Sequence, residues 1–285
     1  MARLPPWIRS SLMTDRAFGH VHGEVSSKGL HTVCQSARCP NLHECWQKGT
    51  ATFLLLGGNC TRRCKFCAVD RGQPEALDDR EPTRVAEAAA SMKLSYVVLT
   101  SVTRDDLADG GAGVFAATID ELRRVIPGVR VEVLVPDFQG LETAMATVLK
   151  AGPDVFAHNI ETVRRLQLEI RPQASYEVSM GVLRFAAKWQ PAVGVKSGLM
   201  VGLGETDEEV RQTLDDLAGA GCRMVTIGQY LAPSRDHRPV SRFVPPEQFE
   251  VYAAWAREAG FSRVASAPLV RSSYMAEELM EAEAG

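Results

Sequence analysis

From about residue 52 onward, short apolar runs alternate with segments of helical periodicity. The apolar runs are continuous and rich in β-branched residues, which is typical of strands that are covered on both faces. The segments between them repeat apolar residues at helical spacing, as in Phe115, Ile119 and Leu122. Six strands are predicted, at residues 52–56, 95–100, 130–135, 154–158, 195–201 and 224–230.

This alternation predicts the fold class. Strands that alternate with helices form parallel sheets with right-handed crossovers, and six such units indicate an α/β fold, a partial (β/α)6 barrel. An open doubly wound sheet is the alternative. Residues 1–51 and 235–285 do not follow the alternation, so we expect an N-terminal and a C-terminal extension packed on a barrel of residues 52–234.

Composition narrows the function classes. The chain has 285 residues, 45% of them hydrophobic and 24% charged, with a net charge of −3, which excludes disorder. No apolar run approaches the roughly 18 to 20 residues that a membrane span requires. The sequence contains no block of basic residues that would indicate nucleic acid as a partner. Because the N-terminus lacks the apolar core of a signal peptide, we expect a cytoplasmic protein. Together these features predict that it binds neither membrane nor nucleic acid.

Cysteines are the most informative residues of the chain. Six of the seven lie between Cys34 and Cys67. Thiols stay reduced in the cytosol, so crowded cysteines there are more often metal ligands or catalysts than disulfides. The seventh, Cys222, lies in an apolar segment and is expected in the core.

The triplet Cys60, Cys64 and Cys67 follows the first predicted strand with the spacing C-x3-C-x2-C. Barrels place their chemistry at this end of a strand. Three thiolates suit an iron–sulfur cube with one iron left free of protein ligands, which could chelate S-adenosylmethionine and pass an electron to its sulfonium. A structural zinc site is the alternative, but the paired C-x2-C halves typical of zinc are absent.

The triplet Cys34, Cys39 and Cys45 precedes the barrel with the spacing C-x4-C-x5-C. His31 or His43 could complete a zinc site of three cysteines and one histidine. A redox-active neighbour instead favours a second iron–sulfur cluster, whose fourth ligand would come from elsewhere in the chain.

Several motifs, spread over nearly the whole chain, resemble the lipoyl synthase family of the radical S-adenosylmethionine superfamily. They are Pro5-Pro6-Trp7, residues 30–46 around the first triplet, residues 60–67 around the second, Thr103-Arg104-Asp105-Asp106-Leu107, Asp109-Gly110-Gly111-Ala112, His158-Asn159-Ile160-Glu161-Thr162-Val163 and Arg271-Ser272-Ser273-Tyr274.

The resemblance implies two 4Fe-4S clusters and the insertion of two sulfur atoms at the sixth and eighth carbons of a protein-bound octanoyl-lysine. The cluster on Cys60, Cys64 and Cys67 would generate the radical. The auxiliary cluster on Cys34, Cys39 and Cys45 would be the sulfur donor, with a serine of the Arg-Ser-Ser-Tyr motif as fourth ligand, Ser273 in preference to Ser272. No general acid or base is expected, because an alkyl carbon far from any carbonyl has no acidic proton to remove.

For S-adenosylmethionine, the resemblance implies contacts from the backbone of Phe66, the polar groups of Asn159 and Glu161, and Arg171 facing the cofactor carboxylate. Gly202 belongs to a segment similar to the superfamily's fifth-strand motif near the adenine. Gly202-x-Gly204 could be misread as a dinucleotide fingerprint, but Asp207 stands where its third glycine would fall.

The partners that the resemblance implies are an octanoylated lipoyl carrier domain or glycine-cleavage carrier protein, an electron donor and a cluster-repair protein. Two other functions stay open at this point. One is a radical enzyme for another substrate, such as a biotin-synthase-like protein. The other is an iron–sulfur electron carrier or zinc-stabilised interaction module.

Overall fold

The computed structural model describes residues 4–8, 16–48, 50–189 and 192–281. The strands of these residues are β1 (His31–Thr32), β2 (Thr52–Leu55), β3 (Asn59–Cys60), β4 (Asp70–Arg71), β5 (Tyr96–Ser101), β6 (Arg130–Leu134), β7 (Val155–Ala157), β8 (Gly194–Val201), β9 (Met224–Gln229) and β10 (Arg263–Ser266).

Helices cover the strands and form the chain's connections. They are α1 (Arg16–Ser27), α2 (Val33–Ser36), α3 (Leu42–Gln47), α4 (Glu81–Ser91), α5 (Ala112–Val125), α6 (Glu142–Lys150), α7 (Gln167–Ile170), α8 (Tyr176–Trp189), α9 (Asp207–Gly219), α10 (Pro246–Glu258) and α11 (Ala276–Glu281), with short 3-10 turns at Pro6–Ile8, Phe138–Gly140 and Arg164–Leu166.

One eight-stranded sheet organises the molecule, in the order β1-β2-β5-β6-β7-β8-β9-β10. β1 runs antiparallel to β2, and every other neighbouring pair is parallel. All six predicted strands are present, with ends within one residue of the prediction. Within the described residues no pairing joins β10 back to β2, so the sheet is open. The predicted α/β fold with parallel strands and crossover helices is confirmed.

The C-terminal segment differs from the sequence analysis, which set residues 235–285 outside the alternation. α10 and β10 continue it, because β10 pairs in parallel with β9 from Arg263 to Ser266. β10 has only four residues, all of them half-buried, and it begins and ends on polar side chains. It therefore lacks the continuous apolar run by which the inner strands are recognised.

The core lies between the sheet and its covering helices. The stripe predicted on α5, Phe115, Ile119 and Leu122, is fully buried. The capping box that opens α9 is formed as the sequence indicates, with the Thr206 hydroxyl accepting from the Glu209 backbone N–H. No helix in the described part of the chain combines the length and apolar character of a membrane span.

Candidate functional site

A cavity of about 490 Å³ opens at the carboxyl ends of the parallel strands. Its walls include the last residues of strands across the sheet, Ser101 of β5, Leu134 of β6 and Gln229 of β9. All six clustered cysteines line it: Cys34, Cys39, Cys45, Cys60, Cys64 and Cys67. The two triplets predicted from sequence therefore face a single chamber. Cys222 lies elsewhere, fully buried in the core.

The loop that carries the second triplet is held on several sides by backbone hydrogen bonds. The Cys60 thiol accepts from the backbone N–H groups of Arg62 and Thr103, each at 3.4 Å. The Lys65 N–H donates to the Ile170 carbonyl at 2.8 Å. The parallel pairing of β3 with β4 closes the loop at its base. The cysteine positions are thereby fixed by neighbouring crossover loops.

Arg62 also anchors the loop of the second triplet, a role that the sequence analysis did not assign. Its guanidinium binds Asp105 and Asp137, with closest distances of 2.7 Å to each, and its side chain is 5% exposed. Burial acts to raise the pKa of Asp137, but hydrogen bonds and charge from Arg62 outweigh it and hold that pKa below its usual range. Asp105 belongs to the Thr103–Leu107 motif that the sequence analysis singled out, whereas no sequence motif pointed to Asp137.

The first triplet sits on β1, α2 and α3 and meets the C-terminal segment. The Asn41 amide donates to the Leu269 carbonyl at 2.6 Å, and the Tyr274 hydroxyl donates to Glu44 at 3.0 Å. Between the first two cysteines, Arg38 adopts a left-handed conformation with φ 51°. The N-terminal and C-terminal segments thus complete one wall of the cavity together.

The two serines of the Arg-Ser-Ser-Tyr motif point to different neighbours. Ser273 Oγ accepts from the Thr52 hydroxyl at 2.9 Å, and the backbone of Thr52 also bonds the Cys34 thiol. Ser272 Oγ accepts from the Asn159 amide at 2.5 Å. Of the two, Ser273 therefore lies on the side of the first triplet.

Phe66, Asn159, Glu161 and Arg171 line the cavity beside the second triplet. The Asn159 amide donates to Glu161 at 3.1 Å. Glu161 has a φ of 69°, unusual for a residue with a side chain, and its backbone bonds Gly198 and Met200 of β8. Burial raises the pKa of Glu161, against the opposing charge of Arg171. A strained acid beside a buried cation is an arrangement typical of ligand sites.

Of the predicted cofactor residues, the structure leaves Gly202 outside the cavity lining. A side chain there would overlap the Gln229 amide and the Arg242 carbonyl, and its N–H donates to Glu205 at 2.6 Å. Close packing explains this glycine. Gly198 does line the cavity, and a Cβ added there would come within 2.6 Å of the Asn159 side-chain oxygen.

The charges around the cavity fit an anionic metal cluster. Burial raises the pKa of both Cys45 and Cys67 to about 12, and neighbouring thiols add to the rise. Iron bound to the thiolates would offset the free-energy cost of burying their negative charge. Among the described residues, buried Arg171 Nε has no hydrogen-bond partner, and Arg271 Nη1 donates to the Val270 carbonyl at 2.7 Å. Two arginines therefore stand beside the thiols: Arg171 lies next to Glu161, and Arg271 forms no ion pair with a carboxylate of the described residues.

A single ion fits the site less well than a cluster. Within the described ranges no three His, Cys, Asp or Glu side chains are grouped as the ligands of one metal ion. An iron–sulfur cube bonds each thiolate through a different iron, so its ligands surround a volume and do not meet at a point.

Comparison with known proteins places the chain in a family. The profile described as the radical SAM superfamily matches residues 54–217. A lipoyl synthase of Chlorobium chlorochromatii (strain CaD3) is 53% identical over 278 residues, which is 97% of this chain and 94% of the relative. A lipoyl synthase of Caldicellulosiruptor saccharolyticus is 52% identical over 274 residues, 96% of each chain.

A solved structure supports the fold independently of close sequence similarity. The FeFe-hydrogenase maturase HydG superposes with a TM-score of 0.58 at 17% identity, over 74% of this chain and 50% of that one. At that identity the likeness bears on the fold alone. The near full-length relatives carry the assignment further: the chain belongs to the lipoyl synthase family and is a radical S-adenosylmethionine enzyme.

Proposed function

We propose that this enzyme inserts two sulfur atoms, at the sixth and eighth carbons of an octanoyl group amide-linked to a carrier-protein lysine, to form the lipoyl cofactor. The observation that carries the proposal is that both cysteine triplets line one cavity. A site that makes a radical and a site that holds sulfur must both reach the same alkyl chain, and a shared chamber permits this.

The second triplet, Cys60, Cys64 and Cys67, would hold the radical-generating 4Fe-4S cluster. When bound there, the cluster and S-adenosylmethionine supply a 5′-deoxyadenosyl radical, which unactivated C–H bonds require. Arg171 and Asn159 would hold the polar end of the cofactor, and the backbone of Phe66 its adenine. Glu161, set in place by the β8 backbone, would accept from the cofactor's amino or hydroxyl groups.

The first triplet, Cys34, Cys39 and Cys45, would hold the auxiliary cluster that donates sulfur. Ser273 is the proposed fourth ligand, supported by its bond to Thr52 on the Cys34 side. An alkoxide is a harder ligand for iron than a thiolate, so it suits a cluster that must open. In this scheme residues 1–51 supply the auxiliary cysteines, residues 52–234 the radical site, and residues 235–285 the serine.

The partners follow from the same chemistry. The substrate would be an octanoylated lipoyl carrier domain or glycine-cleavage carrier protein. A donor of single electrons and a protein that rebuilds the consumed cluster must come from outside the chain. All of these, and reduced thiols, are expected in the cytoplasm.

The test separates the two triplets under strict anaerobic conditions, with an octanoylated carrier and dithionite. We expect Cys60→Ala to abolish 5′-deoxyadenosine formation. Cys39→Ala should keep cofactor cleavage but leave the acyl mass unchanged. The core variant Cys222→Ala is the matched control and should make product. Normal lipoyl product from Cys39→Ala would rule out the donor role.

A further inference from the structure

The mouth of the cavity is marked by the few lining residues that are exposed. These are Arg38, Arg71 and Ala232, whereas the other lining side chains are half-buried or buried. The opening therefore lies where three segments meet, those around Arg38, Arg71 and Ala232. Two of the three exposed lining residues are arginines.

Both arginines are fixed at the opening by backbone carbonyls. Arg38 Nη1 donates to the Pro233 carbonyl at 3.5 Å, which bridges the mouth. Arg71 Nη2 donates to the Cys64 carbonyl at 3.1 Å. These bonds orient the guanidinium groups and leave their charge unneutralised.

Further cations flank the opening on the same segments. The Arg238 N–H donates to the Lys65 carbonyl at 3.0 Å, which joins the cysteine loop to the segment after Ala232. Arg63, Lys65 and Arg235 on these segments are exposed. We call the following five residues the basic rim: Arg38, Arg63, Lys65, Arg71 and Arg235.

The basic rim is not compensated by its surroundings. Within the part of the chain that the structure describes, none of its five residues forms an ion pair with a carboxylate, whereas the adjacent Arg238 pairs with Glu169. Within residues 60–71 and 231–238 the exposed acids are Asp70 and Asp236, fewer than the exposed cations Arg63, Lys65, Arg71 and Arg235. On a chain with a net charge of −3, this concentration of positive charge around one opening is a local feature.

The small molecules of the reaction do not account for these cations. S-adenosylmethionine carries a sulfonium and an ammonium against one carboxylate, so a positive rim does not attract it. An octanoyl-lysine arm is neutral. The positive charge is therefore expected to contact a larger molecule, which stays outside the mouth while the octanoyl-lysine arm enters.

Resting on the proposed function, we infer that the basic rim docks an acidic surface that surrounds the octanoylated lysine of the carrier protein. The arm can reach the cavity only through the mouth, so the carrier surface next to that lysine must face the rim. Opposite charge across such a contact speeds encounter and fixes orientation, and it weakens with salt.

The experiment compares two octanoyl-lysine peptides of equal length, one flanked by Asp and Glu and one by Asn and Gln. Both are offered to the enzyme with both clusters loaded, with dithionite as reductant so that no protein donor takes part. We expect a KM about tenfold lower for the acidic peptide, a difference that fades as salt is raised. In Arg235→Glu, which changes a rim residue outside both cysteine loops, the preference should shrink, with the turnover of the neutral peptide unchanged.

The matched control is Lys150→Glu/Lys188→Glu, which reverses two exposed lysines in the last turns of α6 and α8. Those helix ends lie away from the carboxyl ends of the strands, so the acidic preference should persist. Equal KM values for the two peptides with the unaltered enzyme would overturn the inference. The inference would also be overturned if a rim variant converts the acidic peptide normally with dithionite and loses activity only when a protein electron donor replaces dithionite. If neither peptide gains sulfur, the proposed function fails instead.

Discussion

At the scale of single residues, the adjacent serines Ser272 and Ser273 contact different halves of the cavity. Ser272 accepts from Asn159, a proposed cofactor contact, while Ser273 accepts from Thr52 beside the first triplet. Two neighbouring residues thus link the two halves of the cavity. Their hydroxyls are chemically equal, so the difference in role comes from the partner that each one meets.

The two serines should therefore fail differently when each is replaced by alanine. Ser273→Ala should still cleave S-adenosylmethionine but lose most sulfur insertion, since the proposed ligand of the auxiliary cluster is gone. Ser272→Ala should keep the auxiliary cluster and raise the KM for S-adenosylmethionine several-fold, because Asn159 loses an acceptor. Product and 5′-deoxyadenosine are measured in the same reaction. A reversed pattern would assign the ligand to Ser272.

A second residue-scale prediction concerns His158, which is buried between the Val135 carbonyl and the Ser179 hydroxyl. Burial lowers the pKa of His158 to about 4. The unfolded chain, with a histidine pKa near 6.5, binds this proton first, so stability is complete above about pH 6.5 and is lost as pH falls towards 4. Between pH 7 and pH 5 the loss from this residue is about 2 kcal/mol.

Urea unfolding of the anaerobic protein at both pH values checks this, with His158→Gln as the comparison. The variant lacks the titrating group, so its free energy of unfolding should fall less over the same interval. Parallel losses in the two proteins would show that His158 does not titrate in this way.

Much of the site could be predicted from residues whose chemistry shows in their spacing. The six cysteines were placed in two triplets from sequence, and the structure brings them to one cavity. Asp137 and Gly202 show the limit. Asp137 is 75 positions from its partner Arg62, a pairing that no local pattern encodes. Gly202 sits in a motif, but its neighbour Gln229 comes from the next strand, and only packing reveals that contact.

At the scale of elements, crossover loops hold the cysteines and the sheet brings the C-terminal segment to them. β10 pairs with β9, and the chain leaves β10 directly into the segment of the Arg-Ser-Ser-Tyr motif. This segment passes very close to β9, because a Cβ added to Gly228 would overlap the Val270 carbonyl. A glycine in β9 therefore sets how far the motif can approach the cavity.

Gly228→Ala should accordingly displace the motif. We expect a loss of about 1 to 3 kcal/mol in the free energy of unfolding, because backbone must move to admit a methyl group. Sulfur insertion should fall more than cofactor cleavage, since Ser273 moves with Val270.

The matched control for this change is Gly181→Ala in α8, where an added Cβ meets nothing within 4 Å. That variant should be more stable by about 0.5 to 1 kcal/mol, the helix propensity gained from glycine to alanine. If the two variants were equally stable, the close approach of Val270 to β9 would be refuted.

At the scale of the whole molecule, one open and mostly parallel sheet carries both cysteine triplets, the two proposed cluster sites. The proposed radical site lies on loops that follow β2, β5 and β7, and the proposed auxiliary site on segments from both sides of the barrel region. The edge strand β1 joins the sheet antiparallel to β2, which places the first triplet beside the second in space as well as in sequence.

Metal content tests this arrangement for the whole chain. Two cubes predict about eight irons and eight acid-labile sulfides per chain after anaerobic purification. Cys34→Ala/Cys39→Ala/Cys45→Ala should keep about four, as should Cys60→Ala/Cys64→Ala/Cys67→Ala. Zinc without sulfide would refute both clusters. Loss of all iron from either variant would show that the sites do not load independently.

The contact between Thr52 and Ser273 spans 221 positions of the chain. Thr52 opens β2, one of the first strands to be synthesised, while Ser273 follows β10, the last strand of the sheet. During translation the early thiols leave the ribosome long before this hydroxyl exists. With Ser273 as its proposed fourth ligand, the auxiliary cluster would gain its complete ligand set only after every strand of the sheet has been made, so its delivery would belong to a maturation step that follows synthesis.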